Sequence, residues 1–181
     1  RASETFKKYP DIPRYFDLRK MLDERGKQID AVVIVTPDHT HHYIAKWCMN
    51  MGKHVFMEKP LAHSISEVRD LMKMEKETGL ACQMGNQGHS GAGNFLVNEW
   101  IKMGMLGDVE EVTAWTTHPE MSYPDRKYPE AEPVPGTLKW DLWLGPAGLR
   151  PYSSRYLPAV WRHWFDFGTG MLGDMGCHCL D

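Results

Sequence analysis

Gly52-Lys53-His54-Val55-Phe56-Met57-Glu58-Lys59-Pro60 is the stretch on which the fold turns. Val55 to Met57 reads as a short buried strand. Such strands usually end in turn residues, but this one ends in a charged pair, Glu58 and Lys59, and Pro60 biases Lys59 towards extended backbone. In an open parallel sheet, ligands sit just beyond the carboxyl ends of the strands. Glu58 and Lys59 are therefore candidate site residues; the competing reading is a surface ion pair, which usually contributes little.

Outward from this stretch the pattern alternates. Upstream, the valine- and isoleucine-rich run 31 to 35 suits a strand buried on both faces of a parallel sheet. A helix from about residue 39 to 51 follows, with Ile44, Trp47, Cys48 and Met51 at helical spacing and Gly52 as its stop. Further upstream, residues 3 to 8 read as a helix end, and Asp17 caps a helix carrying Leu18, Met21 and Leu22. Downstream, Ser64-Ile65-Ser66-Glu67 matches a capping box. It opens a helix with Ile65, Val68, Leu71 and Met72 facing inward, stopped by Gly79, and a short strand over 80 to 84 comes next. Helices and strands in alternation, with short crossovers, are the grammar of a doubly wound α/β sheet.

After Gly85 the grammar changes. Asn86-Gln87-Gly88-His89-Ser90-Gly91 is a polar loop. A helix from about 93 to 103 would bury Leu96, Val97, Trp100 and Ile101. Residues 109 to 117 alternate as an antiparallel strand with one open face would. Residues 118 to 160, rich in proline, tyrosine and glycine, read as a binding loop or lid. The expected architecture is α/β: an incomplete Rossmann-type parallel sheet over residues 1–87, then part of an α+β domain with a largely antiparallel open sheet over 88–181.

Composition narrows the function classes. The chain has 181 residues, 42% hydrophobic and 25% charged, with a net charge of −3. No basic run exceeds Lys7-Lys8, so neither nucleic acid nor an anionic membrane surface is expected as a partner, and no apolar segment has the length of a membrane span. The four cysteines lack metal spacing and are expected as reduced thiols. Five tryptophans fall between Trp115 and Trp164, enough aromatic surface for a sugar-like pocket or for a core. The chain opens on Arg1 and ends at Asp181 in mid-pattern. It is read as an excerpt of a longer protein, cytoplasmic or exported to the periplasm, with any targeting segment out of view.

Two further constellations carry possible chemistry. Thr36-Pro37-Asp38-His39-Thr40-His41-His42 lies at a strand end and a helix start, where backbone amides attract anions or hydroxyl-rich ligands; alternatively Asp38 caps the helix and the histidines face solvent. Gly173-Asp174-Met175-Gly176-Cys177-His178-Cys179-Leu180-Asp181 puts Asp174, His178 and Asp181 on one helix face. A carboxylate beside an imidazole suits proton transfer. Asp174 as an N-cap, or the set as one corner of a metal site, are the alternatives; no metal is expected.

These segments resemble the glucose–fructose oxidoreductase / inositol dehydrogenase (Gfo/Idh/MocA) family. Thr36-Pro37-Asp38 through His41, Gly52-Lys53-His54-Val55 and Glu58-Lys59-Pro60-Leu61 are similar to its dinucleotide-binding half. Gly173 to Asp181 is similar to its helix motif G-D-x-G-x-H-x-x-D. The resemblance implies an enzyme: an NAD- or NADP-dependent oxidoreductase transferring a hydride between a sugar or cyclitol hydroxyl carbon and nicotinamide. An NAD-dependent glycosidase acting by transient oxidation, or a non-catalytic sugar-binding relative, are the alternatives. It implies Lys59, Asp174 and His178 as catalytic residues, with His178 the proton acceptor oriented by Asp174. It also implies cofactor contacts from Thr36, Pro37, Asp38, His41, Glu58, Lys59 and Gln87. His89, Arg162 and Trp164 are expected at the substrate on position and chemistry. A homo-oligomer through the C-terminal sheet is expected. The family's G-x-G-x-x-G fingerprint and the acidic residue that selects NAD over NADP do not occur in the sequence.

Overall fold

A computed structural model describes residues 3–116 and 127–181. Helix α1 (Ser3–Lys8) and helix α2 (Leu18–Arg25) precede the sheet. Asp17 caps α2, its carboxylate accepting from the Arg19 amide at 2.9 Å, and Leu22 is the buried residue of that helix. Then come strand β1 (Ala31–Ile34), helix α3 (Asp38–Asn50), strand β2 (His54–Glu58), helix α4 (Ile65–Thr78) and strand β3 (Cys82–Gly85). The Ser64/Glu67 capping box is present in full, and Gly79 ends α4 in the left-handed conformation at φ 67°, where a Cβ would be strained.

The sheet is parallel, in the order β1-β2-β3, with Ile34 beside Met57 and Glu58 beside Gly85. Consecutive neighbouring strands joined by right-handed crossovers place both connecting helices on the same face. The core follows from that. Ile34, Val55 and Met57 meet Ala45, Cys48, Met49, Leu71 and Met74, with Leu22 at the margin. Full burial of side chains such as Met57 and Leu71 is worth about 1.5–3 kcal/mol each. Among the described residues nothing covers the other face: Val33 is 67% exposed and Phe56 40%. The expectation of strands buried on both faces is thus corrected, because α3 and α4 lie on one side. Helical faces are also shifted from expectation. Trp47, Met51, Ile65 and Met72 are exposed, while Ala45, Met49 and Met74 are buried.

Beyond β3 the expectations hold less well. Helix α5 (Ala92–Lys102) forms, but Leu96, Val97, Trp100 and Ile101 are exposed rather than buried. Residues 109–116 form no strand; Thr117 lies outside the described residues. A strand needs a neighbouring strand to complete its ladder, and among the described residues the sheet is made of β1, β2 and β3. Val112 and Trp115 are exposed. The expected antiparallel sheet, and with it the surface expected to join copies of the chain, is not seen among the described residues. Of the proline-rich connection, residues 118–126 also lie outside them.

Residues 127–168 instead build a second, aromatic core around helix α6 (Trp140–Leu144) and two 3₁₀ turns, Ser154–Tyr156 and Val160–His163. Trp140 stacks on Trp143 at 4.9 Å and on Tyr156 at 5.8 Å, and Phe167 meets Trp143 edge-on at 4.8 Å. Such geometry adds to area burial. Of the two readings of the tryptophans, core packing holds for Trp140, Trp143, Trp161 and Trp164. Helix α7 (Gly170–Cys179) closes the described structure.

Candidate active site

Four backbone ends converge. The turns after β1, β2 and β3 face the carboxyl edge of the sheet, and α7 lies across them. The aromatic core is pinned to the first of these turns by His39, which is buried at the start of α3. Its Nδ1 lies 3.2 Å from the Phe167 carbonyl, its Nε2 3.1 Å from the Trp143 carbonyl, and its ring packs on both aromatic rings. Burial pushes His39 below the ordinary histidine pKa, and the two carbonyls offset this in part. Asp38 adds a second pin. Its Oδ2 accepts from the Thr169 amide at 3.1 Å and the Thr169 hydroxyl at 2.8 Å, so it ties the start of α3 to the start of α7. Burial raises its pKa above the usual carboxylate range, against the Thr169 hydrogen bonds. Asp38 therefore does not cap α3, and His39 and His41, 3% and 1% exposed, do not face solvent.

His41 joins the first turn to the second. Its Nδ1 lies 2.8 Å from the Pro60 carbonyl and its Nε2 2.7 Å from the Thr36 carbonyl. Thr40 Oγ1 lies 2.7 Å from Thr36 Oγ1 and 2.8 Å from the Pro37 carbonyl. The turns that carry Thr36 and Lys59 are in this way held as one unit.

Lys59 reaches from the end of β2 to α7. Its ammonium donates to Asp174 Oδ1 at 2.8 Å and to the Asp174 backbone carbonyl. Arg162 Nε donates to the same Oδ1 at 3.3 Å. Asp174 is thus the shared anion of two cations inside α7, not its N-cap, which is Thr169. His178 lies one helical turn on, about 6 Å along the axis. Its ring is held not by Asp174 but by the Gln87 carbonyl, 3.2 Å from Nδ1. An ammonium and a guanidinium satisfy a carboxylate better than a neutral imidazole does, which accounts for the corrected role of Asp174.

The loop after β3 is clamped to α7. Asn86 donates to the Cys177 carbonyl at 2.7 Å, and His89 Nδ1 lies 2.7 Å from Asp181 Oδ2. The Gln87 side-chain amide faces both oxygens of Glu58, at 3.2 and 3.0 Å. His89 consequently sits at the rim beside the end of α7. Trp164 is not in the site: it is 6% exposed and packs in the aromatic core. Burial raises the Cys177 and Cys82 thiols and pushes Cys48 up to about 11, which favours their protonated form. Among the described residues no group of three or more His, Cys, Asp or Glu side chains is placed to hold a metal ion, and no helix is long and apolar enough to cross a membrane.

Between these elements opens a cleft of about 600 Å³, lined by Val35, Thr36, Pro37, Asp38, Glu58, Lys59, Trp161 and Arg162. It combines the ends of two parallel strands with one ammonium and one guanidinium, a donor set that fits the polar, hydroxylated end of a dinucleotide. His41 bonds the Thr36 carbonyl and Gln87 the Glu58 carboxylate, so both brace residues that line the cleft.

The sequence places Gly173 in the helix motif without its physical reason, and it does not single out Gly168 and Thr169, nor Val35 and Trp161 of the cleft. Gly173 allows Thr169 to lie against α7: a Cβ at Gly173 would come within 2.2 Å of Thr169 Cβ. Gly168 packs on the backbone of Arg162, which a Cβ would meet at 2.6 Å. Thr169 anchors Asp38. The G-D-x-G spacing held the first of these signals; the others have no local signature.

Family models match the chain on both sides of the loop after β3. Residues 1–86 match "Oxidoreductase family, NAD-binding Rossmann fold", and residues 97–181 match "Oxidoreductase family, C-terminal alpha/beta domain". Fold and site thus agree with one family over both halves of the chain. The chain belongs to the Gfo/Idh/MocA oxidoreductase family. It is 40% identical over 85 residues to a 4-carboxy-2-hydroxymuconate-6-semialdehyde dehydrogenase of Sphingobium sp. strain SYK-6, covering 47% of this chain and 26% of that protein. It is 42% identical over 69 residues to the scyllo-inositol 2-dehydrogenase (NAD(+)) of Bacillus subtilis, covering 38% and 20%. It is 33% identical over 115 residues to a glycosyl hydrolase family 109 protein of Shewanella sp. strain ANA-3, covering 60% and 25%. The chain spans about a quarter of the length of these relatives.

Proposed function

We propose that this chain carries the reacting end of an NAD(P)-dependent oxidoreductase acting on a hydroxyl-bearing carbon of a sugar or cyclitol. The observation that carries the reading is the convergence of Lys59 with Asp174 and His178 on α7, beside a cleft at the carboxyl ends of β1 and β2. Thr36, Pro37, Asp38, Glu58 and Lys59 would hold the nicotinamide end of the cofactor, which when bound accepts or returns the hydride. His178 takes the hydroxyl proton as the carbonyl forms. The Lys59 ammonium stabilises negative charge developing on the substrate oxygen, and Asp174 keeps that ammonium aimed along α7. Arg162 and His89 flank the space open to substrate. The boundary between cofactor and substrate parts falls near residue 87, and copies of the full-length protein associate, which sedimentation would check.

The test uses the full-length protein with NAD and with NADP against a panel of sugars and cyclitols, read as formation of reduced cofactor. Lys59→Ala and His178→Ala each lower kcat by about 10²–10⁴-fold. Intact cofactor binding with no turnover across the panel refutes the reading. A second reading, glycoside cleavage by transient oxidation, is favoured by the similarity to the glycosyl hydrolase family 109 protein. Release of an aglycone without net reduced cofactor would select it.

A further inference from the structure

The chemistry at His178 depends on which ring nitrogen bears the proton, and the loop after β3 decides that. Nδ1 lies 3.2 Å from the Gln87 carbonyl oxygen. A carbonyl oxygen only accepts, so Nδ1 is the donor; in the neutral ring Nε2 then keeps its lone pair. Gln87 is itself held from the sheet. Its side-chain amide faces both carboxylate oxygens of Glu58, at 3.0 and 3.2 Å, and Glu58 is paired in register with Gly85 just upstream. Asn86 donates to the Cys177 carbonyl, and His89 pairs with Asp181, on either side of His178 along α7. Asp174 directs Oδ1 to Lys59 and Arg162, while the His178 ring bonds the Gln87 carbonyl.

We infer that Glu58 and Gln87 form a positioning pair that fixes His178 as its Nδ1–H tautomer and leaves Nε2 as the base. This assigns them a role on His178 distinct from cofactor contact. The geometry stands by itself; the catalytic consequence rests on the proposed dehydrogenase reading. The charged and titratable groups around His178 are Asp174 and Asp181 on its own helix, Cys177 and Cys179 beside it, His89 and Glu58 on the loop side, and Lys59 and Arg162 at Asp174.

The test separates the inference from that reading by using a signal independent of turnover. In ¹⁵N-histidine-labelled full-length protein, the His178 ring resonances are assigned by difference from His178→Gln. The wild type is expected to show protonated Nδ1 and unprotonated Nε2 wherever the ring is neutral. Gln87→Ala and Gln87→Glu are expected to move the ring towards the Nε2–H tautomer. The double exchange Glu58→Gln with Gln87→Glu restores an amide–carboxylate pair and is expected to restore the wild-type pattern. Under the dehydrogenase reading, Gln87→Ala lowers kcat about 10–100-fold, by analogy with the outer partners that orient metal-bound histidines, with KM within about twofold. An Nε2–H ring in the wild type, or an unchanged ring in both Gln87 variants, overturns the inference whatever the turnover. An Nδ1–H ring in a protein that turns over none of the panel leaves the inference standing and removes the dehydrogenase reading.

Discussion

Removing Asp174 should destabilise the protein far more than removing Lys59. The Lys59 and Asp174 side chains are 15% and 7% exposed and 2.8 Å apart, and Arg162, 32% exposed, reaches the same oxygen at 3.3 Å. With an effective dielectric near 20, the two contacts amount to about 6 and about 5 kcal/mol of attraction before desolvation is subtracted. In Asp174→Ala two cations face each other across the vacated position, and the more buried one, Lys59, cannot rehydrate without movement. The expected cost is about 3–5 kcal/mol. In Lys59→Met the carboxylate keeps Arg162, and the methionine stem fills the volume of the lysine stem, so the expected cost is about 1–2 kcal/mol. Urea unfolding of the cofactor-free full-length protein, followed by tryptophan fluorescence, measures both. A double-mutant cycle gives the coupling, expected above about 1 kcal/mol for groups in direct contact. Equal costs for the two single variants, or a coupling below about 0.5 kcal/mol, would refute the view of Asp174 as the shared anion.

Other expectations follow from the same contacts. Gly173→Ala forces Thr169 off α7 and breaks its bond to Asp38, at a cost of about 1–3 kcal/mol; Gly85→Ala, whose Cβ would crowd the half-exposed ring of Phe56 at 2.8 Å and touch Glu58 Oε1 at 3.5 Å, should cost less, and thermal unfolding ranks the two. Gly168→Ala brings a Cβ to 2.6 Å from the Arg162 backbone and should both lower the melting temperature and raise KM for substrate, as thermal unfolding and steady-state kinetics will show. Two buried groups give pH dependences of opposite sign. His39 has a lowered folded pKa, so the unfolded chain binds the proton first. Stability is then unaffected above about pH 6.5 and falls as pH drops from there towards the folded value, by at most about 1.4 kcal/mol per unit. Asp38 has a raised folded pKa, so the folded state binds the proton more tightly, and stability falls as pH rises from the ordinary carboxylate range through the raised value. His39→Gln should flatten the first slope, and Asp38→Asn the second, in urea midpoints measured against pH.

The α/β half was legible because its signals are local. Caps at Asp17 and Ser64, the left-handed stop at Gly79 and the apolar runs of β1 and β2 depend on neighbours a few residues away. The half after Gly85 was less legible because its pattern presupposed partners. Alternation over residues 109–116 specifies a strand only if another strand completes the ladder, and apolar spacing in α5 specifies burial only if another element covers it. The same holds for the outer face of β1 and β2: composition marked the strands as buried, but the side on which α3 and α4 packed decided which side chains were.

For the site, sequence alone determined which groups would be present and in what order: a lysine at a strand end, a carboxylate and a histidine four residues apart on a late helix. It could not determine their bonds. Asp174 and His178 share a helix face, so spacing paired them; tertiary structure instead gave Asp174 to Lys59, 115 residues away, and to Arg162, and gave His178 to the carbonyl of Gln87. A carboxylate binds the strongest donors brought within reach, and which donors come within reach is fixed by how the turns after the strands meet α7.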